Sequence, residues 1–163
     1  MFLADIFPRV HSKYGVIDSM GRKIIPFRFD EIASLSFGKA VVRKGTKWNY
    51  IDLNDRTIPA KFSYDKAFAF QRGFAIVEVK SKWGLVDEKG MLVIPPQYDE
   101  LKLVANNVFV ARRDSIYGLI DPNHNVLVPV EYEKYSLFEN EFVLLSKPGE
   151  RLWYNTRSFD VIR

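Results

Sequence analysis

Residues 82–101 read KWGLVDEKGMLVIPPQYDEL. WGLVD and MLVIP are short apolar runs separated by EKG, a turn-forming cluster in which Gly90 is free to take positive φ. Together they predict a β-hairpin. Asp87 stands just before the turn, where a carboxylate bonds back to turn amides two residues on. Proline has no amide hydrogen for a ladder, so Pro95 is expected to end the second strand and Pro95-Pro96 to redirect the chain. Two further strands are expected over about 98–104 and 108–113, turning at Asn106-Asn107.

The stretch recurs. KYGVIDSMGRKIIPFRFDEI begins at Lys13, KWNYIDLNDRTIPAKFSYDK at Lys47 and IYGLIDPNHNVLVPVEYEKY at Ile116, and a worn fifth start, LWYNTRSFDVIR, closes the chain. The lead aromatics are Tyr14, Trp48, Trp83, Tyr117 and Trp153, spaced by 34, 35, 34 and 36 residues. Four residues after each of the first four comes an aspartate: Asp18, Asp52, Asp87 and Asp121. An apolar strand follows, closed by Pro26, Pro59, Pro95 or Pro129, and then an aromatic–acid pair: Phe29-Asp30, Tyr64-Asp65, Tyr98-Asp99, Tyr132-Glu133. Each copy ends in a β-rich run. Such a period is the mark of a repeat architecture in which no unit buries its apolar face alone.

At these residues the chain resembles the WG, or KWG, repeat family, named for the Lys-Trp-Gly opening each unit. Lys82-Trp83-Gly84, Val86-Asp87, Gly90, Ile94-Pro95 and Tyr98-Asp99 carry the likeness most fully, and it extends over residues 13–163. Asn49 and Tyr154 replace the glycine in copies two and five, and Tyr14 and Tyr117 replace the tryptophan. The resemblance implies a β-rich repeat serving as an interaction or structural module, with no catalytic residue assigned.

The reading is therefore all-β: tandem β-hairpin repeats of about four short strands, in one repeat domain over 1–163. Copies fall at about 13–46, 47–81, 82–115 and 116–151, with a partial copy at 152–163 and an N-terminal strand within 1–12. The short links KGT, KS and DS join the fourth strand of one unit to the first of the next, so neighbours are expected to share an antiparallel sheet. The five lead aromatics are read as the structural core of the repeat, filling the gap between units. Two architectures satisfy the pattern. An open solenoid-like array is favoured; the alternative is a closed five-bladed propeller-like ring, with the N-terminal strand and the terminal half-copy mending one split blade.

Composition narrows the function. The 163 residues contain no cysteine, which removes disulfides and thiol chemistry and points to a reducing compartment. No signal peptide or long apolar run is present, and a cytoplasmic protein without membrane contact is expected. Aromatic content is 15% and net charge +4. Residues that recur in every copy are separated in space by the repeat, whereas catalysis needs different groups converging on one atom. The four aspartates are accordingly read as turn caps. His11 and His124, the only histidines, are read as solvated surface residues. No catalytic, cofactor-binding or metal-binding residue is expected, nor a cofactor.

The charges carry the remaining information. Lys13, then Arg43, Lys44 and Lys47, then Lys80 and Lys82, then Arg112 and Arg113, then Lys147 and Arg151 cluster at the junctions between units. Acids gather elsewhere in each unit, at Asp30-Glu31, Asp52 and Asp55, Asp87-Glu88, Asp99-Glu100, and Glu131 with Glu133. Regular stacking is expected to align these into a basic and an acidic stripe. The residues from Arg43 onward are the partner-binding candidates. They suggest a non-catalytic module presenting a charged edge to another protein with an acidic surface, for example a toxin-neutralising immunity protein or an assembly subunit. Nucleic-acid binding along the basic stripe is the alternative. A weaker one is carbohydrate binding through exposed Trp48, Trp83 and Trp153.

Overall fold

The structure, a computed structural model, describes residues 12–56, 63–139 and 141–162. Apart from Ser12, the expected N-terminal strand lies outside them, as do His11 and Pro59. The described residues form strands and turns with no helix. The chain divides into two compact units, Met1–Lys80 and Ser81–Arg163, meeting between the two central residues of a turn. The tandem β-hairpin expectation holds within each.

In the first unit β1 (Tyr14–Ile17) pairs with β2 (Lys23–Phe29), then β3 (Glu31–Ser36), β4 (Lys39–Lys44) and β5 (Lys47–Asp52) form an antiparallel meander, and β6 (Lys66–Ala67) pairs with β7 (Phe74–Val79). The second unit begins with the hairpin β8 (Lys82–Asp87) and β9 (Leu92–Tyr98). Two four-stranded meanders follow. One is β10 (Glu100–Ala105), β11 (Val108–Arg113), β12 (Ile116–Ile120) and β13 (Val126–Tyr132). The other is β14 (Lys134–Phe138), β15 (Phe142–Lys147), β16 (Glu150–Asn155) and β17 (Val161–Ile162). The last two strands of one copy thus pair with the first two of the next, as the short links predicted. The chain changes sheet at the aromatic–acid pair, for example at Tyr98-Asp99 between β9 and β10.

The core lies between successive sheets. In the first unit Val16, Ile25 and Phe29 meet Ala40, Val42 and Ile51; in the second Val110, Leu119, Val128 and Tyr132 meet Val143, Leu145, Leu152 and Tyr154. Burying each of these Val, Leu and Ile side chains contributes roughly 1.5–3 kcal/mol. In copies one, three and four the deepest repeating ring is Phe29, Tyr98 or Tyr132, each buried and sitting where the chain turns from one sheet to the next. The lead aromatics are the register partners of these rings (Tyr14 opposite Phe29, Trp83 opposite Tyr98, Tyr117 opposite Tyr132) and are only half-buried.

Two local expectations are corrected. Proline does not end the second strand: β2, β9 and β13 run straight through Pro26, Pro95-Pro96 and Pro129. From Leu85↔Ile94 to Trp83↔Tyr98 the register uses two steps on β8 against four on β9, a bulge into which the prolines fall without breaking the pairing. This bulge also explains the glycine of the motif. A Cβ on Gly84 would lie 2.5 Å from Ile94 O and 2.8 Å from Pro96 N, so the crossing backbone leaves room for hydrogen alone. Gly15 and Gly118 meet the same obstacle at 2.6 and 2.7 Å. Gly90 does take the positive φ the turn requires, 79°.

The second correction concerns copy five. Arg43 is the register partner of Trp48 and Arg112 that of Tyr117, and the matching pair in the last sheet is Ser146 and Arg151. Arg151, not Trp153, therefore holds the lead position, and Leu152, not Tyr154, the glycine position. Trp153 occupies the place of Leu85 and Leu119, pairing with Ile162 as Leu85 pairs with Ile94. Its ring packs on Phe138 at 5.0 Å.

Candidate functional site

The recurring aspartates are used by the turns. Asp18 Oδ1 accepts the amides of Met20 and Arg22, both at 2.9 Å; Asp87 Oδ1 accepts those of Lys89 and Met91 at 2.9 and 2.8 Å; Asp52 takes Asn54 N and Asp121 takes Asn125 N, each at 2.8 Å. Asn155 does the same in copy five, accepting Arg157 N at 2.8 Å. The Arg22 amide, more than its guanidinium, holds Asp18 below the usual carboxylate range, and the Lys39 ammonium does so for Asp52.

A second device recurs at each change of sheet. The opening lysine of a copy bonds the acid of the aromatic–acid pair 17 or 18 residues on: Lys13 with Asp30, Lys47 with Asp65, Lys82 with Asp99. The other carboxylate oxygen accepts the amide of the next interstrand turn, from Gly45 at 2.7 Å, Lys80 at 2.7 Å and Asp114 at 2.8 Å. One carboxylate thus staples a lysine on one sheet to a turn on the following sheet. The lysine first and the turn amide second hold all three carboxyls below their ordinary value. The K of the motif and the D of its aromatic–acid pair are two halves of one clamp.

Copy four lacks all three parts. Ile116 stands at the lysine position, Glu133 at the aspartate position, and the turn amide is replaced by Pro148, which has none. Lys147 there pairs with Glu131 at 2.6 Å and Glu150 at 3.1 Å, while the Tyr132 hydroxyl donates to Glu150 at 3.0 Å. An open groove of about 560 Å³ lies at this corner, lined by Glu133, Lys134, Ser146, Lys147, Pro148, Gly149, Glu150 and Arg151.

The register interleaves the charges that linear spacing had separated into two stripes, and this corrects the expectation of a basic edge facing away from an acidic one. Cross-strand partners share a face, so Glu31 opposite Arg43 and Glu100 opposite Arg112 become ion pairs, at 3.1 and 3.2 Å. Lys47, Lys82 and Lys147 are paired as described. Arg113 donates to Gln97 at 2.9 Å and lies over the Tyr98 ring at 5.1 Å from its centroid. Lys44, Lys80 and Arg151 are exposed, and their side chains have no carboxylate partner among the described residues. Trp48 and Trp83, like Trp153, are half-buried; Arg43 lies 5.7 Å from the Trp48 ring centroid.

His124 is not a solvated surface residue. It is half-buried, its Nε2 shares a 2.8 Å hydrogen bond with the Tyr98 hydroxyl, and its ring meets Tyr98 edge-on. Its place in the turn corresponds to that of Gly90, which the count from Asp121 reveals. Among the described residues no cluster of three or more His, Asp and Glu side chains is placed to hold a metal, and no helix is long and apolar enough to cross a membrane.

Stapled copies of one four-strand unit, each completing its sheet with its neighbour, define a β-repeat protein. The model of the WG containing repeat matches residues 14–48, 50–83, 83–115 and 117–147, and the chain belongs to that family. No curated protein matches it.

Proposed function

We propose that the chain is a non-catalytic protein-binding module, acting in the cytoplasm, whose interstrand turns contact a partner with an acidic surface. The observation supporting this is the residue of positive charge after internal pairing. Lys44 and Lys80 stand beside or within the interstrand turns, and Arg151 just after one, each exposed and without a carboxylate partner among the described residues. The recurring acids do not compete for this role, since turn amides and clamp lysines occupy them. That occupation also supports a scaffold over an enzyme. Binding of this kind suits a protein that neutralises a toxin or docks a subunit within an assembly. Against nucleic acid, the unpaired cations are dispersed among ion pairs, whereas a phosphate backbone rewards a continuous stripe.

A photo-crosslinking residue placed at Lys44 or Lys80 in the native cells tests the reading. A discrete acidic protein crosslinked at both positions, with the crosslink lost when the irradiation is carried out at high salt, is the expected result. Crosslinks to RNA or DNA, or generic oligonucleotide binding at ~50 mM salt that falls steeply as salt rises, would overturn it.

A further inference from the structure

The first residue of β3, β6, β10 and β14 begins a rung that crosses each sheet at the clamp end. In β3–β5 the rung is Glu31, Arg43, Trp48; in β10–β12 it is Glu100, Arg112, Tyr117. In β6–β7 the polarity reverses, Lys66 opposite Glu78 at 2.7 Å. Every one of these rungs seats a carboxylate against a cation. In β14–β16 the same rung reads Lys134, Ser146, Arg151. Here two cations flank a serine, and the acid is missing.

The two cations share one face of the sheet, their Cα atoms two strand spacings or roughly 10 Å apart, within reach of a common anion above the serine. Lys134 and Arg151 are exposed and Ser146 half-buried, and no side-chain partner for any of the three occurs among the described residues. All three line the groove at this corner. Glu133 and Glu150 line it too, but Glu150 is held by Lys147 and the Tyr132 hydroxyl.

We infer that the rung Lys134–Ser146–Arg151 is the binding site for a carboxylate side chain, Asp or Glu, of the partner protein. The occupant supplies the group that Glu31, Glu78 and Glu100 supply internally elsewhere. The lysine and arginine bond the carboxylate oxygens, and the Ser146 hydroxyl donates a third hydrogen bond. A single peptide carboxylate fits better than a nucleic-acid strand, because Glu133 lines the same groove and opposes a run of phosphates, whereas one carboxylate needs only the rung. This narrows the proposed function and rests on it.

The test is a titration of the ¹⁵N-labelled full chain with a blocked Gly-Gly-Glu-Gly-Gly peptide, followed by amide shifts, with inorganic phosphate and oligo-dT as parallel probes. Saturable shifts concentrated at Lys134, Ser146 and Arg151 are expected, with the Glu31–Arg43 rung unmoved. K134E/R151E should weaken the affinity about tenfold or more, and S146A should weaken it less while keeping the folded spectrum. Shifts confined to Lys44 and Lys80 would overturn the rung site while leaving the acidic-partner reading intact. Shifts nowhere with peptide would remove both. Tighter binding of oligo-dT or phosphate than of peptide at the rung would contradict the carboxylate assignment.

Discussion

The corners at Asp99 and at Glu133 are built on the same backbone and differ in their side chains. Both place a buried tyrosine, Tyr98 or Tyr132, opposite a lead aromatic, and both donate the corner acid's amide to a β-strand carbonyl, Arg112 O at 2.8 Å and Ser146 O at 3.0 Å. Only the first adds the clamp of Lys82, Asp99 and the Asp114 amide. The lesson is that bulge, glycine and buried ring suffice to turn the chain from sheet to sheet. The clamp is an addition, and the corner that lacks it carries the unpaired cations Lys134 and Arg151.

That division can be broken in order of effect. Replacing Gly84 or Gly118 by Ala should cost each copy about 2–3 kcal/mol by forcing backbone apart, and denaturant unfolding should show the two losses nearly equal. A neutral G118A would mean the two bulges are not equivalent. Next, D99N should lower Tm by about 2–4 °C, whereas E133Q should leave it unchanged within error. Installing the clamp with I116K/E133D/P148A should raise Tm by an amount similar to the D99N loss, while I116K alone gains nothing because its carboxylate and amide partners are absent. A triple variant no more stable than I116K would show that the clamp is decorative.

The smallest effect is in pH dependence. Asp30, Asp65 and Asp99 have carboxyls held below their unfolded value of about 3.8, so the unfolded chain takes up protons first as pH falls. Their contribution is fully present above that value and is lost as pH drops through the lower folded values. Stability should be flat from this source between pH 6 and 8 and fall below about pH 4, and D99N should make that fall shallower.

Much of this was legible in the sequence. Alternation and turn residues gave the hairpins, and the repeat gave sheet sharing, because a link as short as DS, between β11 and β12, permits nothing but an antiparallel turn. What could not be read was register. Whether Lys82 meets Asp99 depends on a bulge that moves Tyr98 opposite Trp83, and nothing in the spacing of 17 announces it. For the same reason Arg43 and Glu31, twelve residues apart, fall in different stripes by linear spacing, whereas strand pairing sets them face to face. Following its tryptophan misplaces copy five. Counting from the turn-capping acid instead, 18, 52, 87, 121 and then Asn155, keeps the interval at 34 or 35 and puts Arg151 at the lead position. The side chain that caps a backbone turn is tied to geometry, whereas an aromatic can be exchanged wherever the core has room.

The clamp itself is tested most directly by following the Asp99 carboxyl ¹³C shift through an acid titration in the native chain and in K82M. The account predicts a midpoint below 3.8 in the native chain that moves up toward 3.8 when the ammonium is removed. A native midpoint at 3.8, unchanged in K82M, would mean that the lysine opening each repeat is free in solution and that no staple joins the sheets.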